Sequence, residues 1–150
     1  MKSCITVTTL VVASLACLTS TGCLSDGSAD VLVDGQVRGR SFSATAGTAE
    51  SLSGGGYIIS LSDSTGFTCT SEPTSTELTV VIDGFSSDGE YDAADRVSFN
   101  AIEDGVIDGD TADSGSFTVQ IFDDSTSPRI EGQINASGPE SQVSGTFDVP

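Results

Sequence analysis

An all-β domain, folded as an antiparallel meander into a small sandwich or barrel, is what this sequence predicts, and three features predict it. Short apolar strings such as YIISL, LTVVI and FTVQIF alternate with polar residues at a period of two. Between them lie turn-forming clusters, LSGGGY, EDGVIDGD and ASGPES among them, in which glycine accompanies Asp, Ser or Pro. No stretch sustains the 3.6-residue period of an amphipathic helix. The length, 150 residues, suits one domain, which we place at 31–150 behind a leader at 1–22 and a polar tether at 23–30.

The leader begins with Lys2, a thin positive region, and runs apolar from Ile5 to Leu18 apart from Thr and Ser. That order, followed by small residues, is the order of a secretory signal. It is shorter than the ~20 residues a membrane-spanning helix needs. The run LTSTGC, Leu18 to Cys23, resembles the lipobox of bacterial lipoproteins. Gly22 and Thr21 suit the two positions before the cysteine, whereas Ser20 stands where that pattern prefers leucine. The resemblance implies cleavage before Cys23 and acylation of that residue, with Cys17 as the rival acceptor and ordinary secretory cleavage as the other route. Several acyl chains together give stable membrane attachment. Leu24, rather than an aspartate, follows Cys23, and in the same class this implies delivery to the outer membrane. The closing SGTFDVP also resembles the end of small β-rich surface lipoproteins, a likeness that carries no activity.

Cysteine pairing depends on the leader. Cys4 and Cys17 would leave with it and Cys23 would carry lipid, so Cys69 would remain alone. Cys69 is then a buried thiol, or bridges to a residue beyond Pro150, or pairs with Cys23 if processing occurs at Cys17.

Strand periodicity starts at Val31. VLVDGQVRGRSFSATA alternates in two phases, which predicts a bulge near Asp34–Gly35 or Gly39. The next strands place Tyr57, Ile59 and Leu61 on one face, then Leu78, Val80 and Ile82. Val97, Phe99 and Ala101 follow, then Phe117, Val119 and Ile121. The last two, with Ile130, Gly132, Ile134 and Ala136, and Val143, Gly145, Phe147 and Val149, read as a hairpin. One dry face and one wet face per strand is the pattern of an antiparallel sheet covered on one side. Seven to nine strands are expected. EYDAADRV, from Glu90, could form a short helix or a strand and turn.

Charge is extreme. From Cys23 onward four arginines oppose 22 carboxylates, a net of −18. Such a field repels nucleic acid and anionic lipid headgroups and suits cations, a basic protein partner or a saline medium. The absence of histidine removes imidazole bases, Ser-His-Asp triads and His-based metal sites. With no lysine after Lys2, Ser-Lys and Schiff-base chemistry go too. No catalytic residues and no cofactor are therefore expected. Acidic turns leave one other possibility, since Ca²⁺ takes carboxylate and carbonyl oxygens. DGVIDGD could place Asp104, Asp108 and Asp110 around a loop, although it lacks the ligand order of an EF-hand. Arg38 and Arg40 share a strand face, and acids across the sheet are their expected partners. The reading is a lipid-anchored acidic β-domain with a structural, surface or interaction role; the alternative is a secreted or tethered calcium- or small-ligand-binding module.

Overall fold

The computed structural model describes residues 29–64, 77–124 and 127–150. Eleven strands form: β1 (Asp30–Val37), β2 (Arg40–Ser43), β3 (Ala46–Ser51), β4 (Tyr57–Ser62), β5 (Glu77–Phe85), β6 (Gly89–Asp92), β7 (Val97–Glu103), β8 (Val106–Thr111), β9 (Ser114–Asp124), β10 (Ser127–Ser137) and β11 (Gln142–Val149). They make two antiparallel sheets, one in the order β2-β1-β11-β10-β9-β6 and the other β3-β4-β5-β7-β8. The sheets pack face to face as a sandwich and do not close into a barrel.

The period-two pattern does what it should. Val33, Val37, Phe42, Ile59, Leu61, Val80, Ile82, Val97, Phe99, Phe117, Ile130, Val143 and Phe147 are all buried between the sheets. The predicted faces are the observed ones, and β10 and β11 pair as expected, from Ile130 with Val149 to Ser137 with Gln142. Burying such a side chain removes apolar surface worth roughly 1.5–3 kcal/mol from water.

Two features differ from expectation. The phase change after Val31 is a two-residue hairpin turn at Arg38–Gly39, not a bulge. Both residues have positive φ, 51° and 70°, which is the type I′ geometry that matches strand twist. The strand count is also higher, because β2, β3, β6 and β8 are short and their alternation is too brief or too polar to register. EYDAADRV resolves into the end of β6 and a turn, the second of its two expected forms.

The chain changes sheets at tight corners. Ala44 N donates to Val33 O in the six-stranded sheet at 2.9 Å, and the next residue, Thr45, donates to Ser62 O in the other at 2.8 Å. Ala112 and Asp113 repeat this, donating to Val97 O and Ser137 O respectively. Corners of this kind let two sheets cross steeply. Contacts beside β8 show the crossing. From Glu103 to Asp110 the partners pass from Arg40 on β2, to Arg38 at the β1–β2 turn, to Glu140 and Ser141 at the β10–β11 turn. β8 therefore runs across the ends of the other sheet's strands. At the opposite end β3 does the same, with Ala49 N donating to Pro150 O at 2.8 Å and Gly47 packed against Val31 and Val149.

An aromatic group spans the sheets. Tyr57 stacks on Phe85 at 6.0 Å between ring centres, Phe85 meets Phe117 edge-on at 5.9 Å, and Phe117 stacks on Tyr91 at 5.3 Å. The Arg96 guanidinium lies 5.5 Å from the centre of the Tyr91 ring and donates to Gly84 O. All four rings are engaged in packing.

Candidate functional site

The densest polar constellation lies where β8 crosses the six-stranded sheet, and the turn chemistry puts it there. Register pairs Phe99 with Asp110 and Ala101 with Asp108. Directly opposed residues of a sheet share a face, and Phe99 and Ala101 face the core. Asp108 and Asp110 thus project from the inner side of their sheet. The edge position of β8 keeps them near solvent, and Arg38 meets them from the other sheet.

Arg38 donates to both Asp108 oxygens at 2.9 and 3.1 Å and to Asp110 Oδ2 at 3.5 Å, and lies 2.7 Å from Glu140 Oε2. Its backbone N–H donates to Ser141 Oγ at 3.0 Å, and the Ser141 hydroxyl donates to Asp110 Oδ1 at 2.9 Å. Glu140 N–H donates to Asp110 Oδ2 at 3.1 Å, and Gly39 N–H to Glu140 O at 2.8 Å. The hydrogen bond to Asp108, with the field of Asp108, Glu140 and Asp110, raises the Arg38 pKa further above its ordinary value. One guanidinium and one buried hydroxyl thereby tie β8 to two turns of the opposite sheet. Beside them Arg40 pairs with Glu103 at 2.8 Å. Both arginines find acids: Asp108, Asp110 and Glu103 lie across the sandwich, and Arg38 also meets Glu140 at the β10–β11 turn of its own sheet.

These contacts bear on the expected calcium ligands. Asp104 occupies the β7–β8 turn with Gly105, again with two positive φ values, 51° and 77°. Asp108 and Asp110 lie together on β8 around Arg38. Among the described residues no three His, Cys, Asp or Glu side chains converge as a metal site, so Asp104 is not brought together with the other two. DGVIDGD is a hairpin turn and an edge strand, not a loop. Cys17, Cys23 and Cys69 lie outside the described residues.

A second constellation, on the outer face of the six-stranded sheet, escaped the sequence reading. Arg129 donates to Asp148 at 2.8 and 2.5 Å and to Glu131 at 2.6 Å, with its guanidinium 5.5 Å from the centre of the Phe122 ring. Next to it an open trough of about 650 Å³ is bordered by Leu32, Thr118, Gln120, Glu131, Gln133 and Thr146. Its outward side chains are hydrogen-bonding groups apart from Leu32. Cross-strand neighbours far apart in sequence build this face, and only register reveals it.

A third pair was also missed. Glu77 is buried, and its Oε1 accepts a 2.6 Å hydrogen bond from the buried Ser62 hydroxyl. Register with inward-facing Leu61 and Leu78 places both on the outer side of the five-stranded sheet. Nearby, Asp63 accepts from Leu78 N–H at 2.9 Å. The alternation was legible here, but the burial of the outer face was not.

Comparison with known proteins adds no assignment: no family model, curated protein or solved structure matches this chain.

Proposed function

We propose that this chain is a bacterial lipoprotein anchored through Cys23, carrying an acidic β-sandwich with a structural, surface or interaction role and no catalytic one. The observation that carries the reading is LTSTGC at the end of the apolar leader, only seven residues before β1 begins at Asp30. A spacer of that length reaches at most about 25 Å when fully extended, so the anchor would hold the β1-entry end of the sandwich close to the lipid. The 22 carboxylates would then keep the domain off anionic headgroups and soluble in a saline medium. Outer-membrane delivery is part of the same proposal, through Leu24 after the cysteine.

Intact mass spectrometry of the membrane fraction tests it. The expected product begins at Cys23 with added acyl mass, and C23S moves the protein to the soluble fraction. Soluble protein that still begins at Met1, with no acyl mass on Cys17 or Cys23, would overturn it. The calcium-binding alternative has less in its favour, since Asp108 and Asp110 already serve Arg38.

A further inference from the structure

We infer that β8 is a guarded edge, a latent surface for pairing with a second copy of this chain that Asp108 and Asp110 hold shut. An edge strand presents unpaired N–H and C=O groups and pairs with another strand unless something prevents it. Among the described residues nothing pairs with the free side of β8. The other edges are blunted in visible ways. β2 and β6 have four residues each, β9 beyond β6 is capped where Asp88 accepts from Ile121 N–H at 2.7 Å, and β3 abuts Pro150.

At the start of β8, Val106 and Ile107 are 68% and 61% exposed, two adjacent apolar side chains on an edge strand. These features favour association. The guard opposes it. In a two-fold antiparallel pairing of β8 with itself, the inner faces stay on one side, so residues of like parity oppose each other. Centred on Asp108, such a pairing sets Asp108 against its own copy and Asp110 against Val106. Like charges placed directly opposite are destabilising, and inward-pointing charges on an edge strand are a known defence against pairing. Arg38 makes the inward position tolerable, with Asp108 and Asp110 on β8 and Glu140 on the β10–β11 turn facing it, and Arg40–Glu103 alongside. Guard and latch are therefore separate parts: the carboxylates prevent pairing, and the guanidinium holds the strand down.

Sedimentation equilibrium and amide exchange separate the two parts, using the folded domain with or without its leader. D108N/D110N at neutral pH is expected to dimerise at least tenfold more tightly than the unsubstituted chain, with Val106–Gly109 amides gaining protection as concentration rises. R38Q is expected to speed exchange across β8 while the protein stays monomeric, because the charges remain. If D108N/D110N fails to fold, D108N alone carries the test, since that side chain is 64% exposed. A folded Asn variant that stays as monomeric as the parent up to millimolar concentration overturns the inference. So does a dimer whose new protection lies outside β8.

Discussion

Arg38 and Arg129 each sit among carboxylates, yet they do different jobs. Arg38 bridges two sheets, its side chain is 19% exposed, and its partners come from β8 and a distant turn. Arg129 lies on an outer sheet face, 53% exposed, and its partners are neighbours on its own strand and the adjacent one. Register alone would keep Arg129's strands together, with eight β10–β11 residue pairs from Ile130 with Val149 onward. Among the described residues no backbone ladder joins β8 to the six-stranded sheet, so side-chain ties carry more of that contact. An ion pair matters where it is the connection, and little where it decorates one.

The largest expected effect comes from removing the centre of the cross-sheet network. D110A deprives the Ser141 hydroxyl, Glu140 N–H and Arg38 of an acceptor at once. Of these donors the Ser141 hydroxyl is buried, and an unmet buried donor costs about 1–3 kcal/mol, so denaturant unfolding at low protein concentration should show a loss within that range. A change no larger than that of R129Q would erase the distinction between the two arginines.

Salt should sharpen it. Exposed pairs contribute little and are screened within about 8 Å at physiological ionic strength. The melting midpoint of R129Q is therefore expected to approach that of the parent as sodium chloride is raised. R38Q should keep more of its deficit than R129Q, because Arg38 and Asp110 are mostly covered and that contact is less screened, while its pairs with exposed Asp108 and Glu140 weaken with salt.

The smallest effect is in acid. The Arg129 hydrogen bond, aided by its charge, holds the Asp148 carboxyl below the ordinary carboxylate range, despite some opposing desolvation. A lowered folded-state value means this contact contributes stability above the unfolded value, near 3.9. The contribution is lost as pH falls through the lowered value. Melting curves of the parent and R129Q should thus differ at neutral pH and low salt and converge in strong acid. A gap that widens on acidification would reverse the sign of this linkage.

How much of this was legible beforehand differs between elements. The faces of β4, β5, β7, β9, β10 and β11 follow from alternation, because a one-residue slip would turn each apolar set toward water. β8 was not legible. Val106 and Ile107 are adjacent, so VIDGDT shows no period of two, and two of its three inner positions hold aspartates. Arg38 was misplaced for a related reason. A bulky residue with positive φ is unusual in a tight turn, and nothing local says that two aspartates wait across the sandwich and a glutamate at the neighbouring turn.

From its residues alone the chain specified a β-domain, its dry faces, several of its glycine-rich turns and a field that disfavours polyanions, since these depend on side-chain period, glycine's conformational freedom and summed charge. Tertiary structure alone decided a crossed sandwich over a barrel, which aspartates Arg38 would meet, and which strand would be left as an edge. Those outcomes depend on where the corners at Ala44–Thr45 and Ala112–Asp113 turn the chain, and on contacts between turns as distant in sequence as Arg38 and Ser141, 103 positions apart.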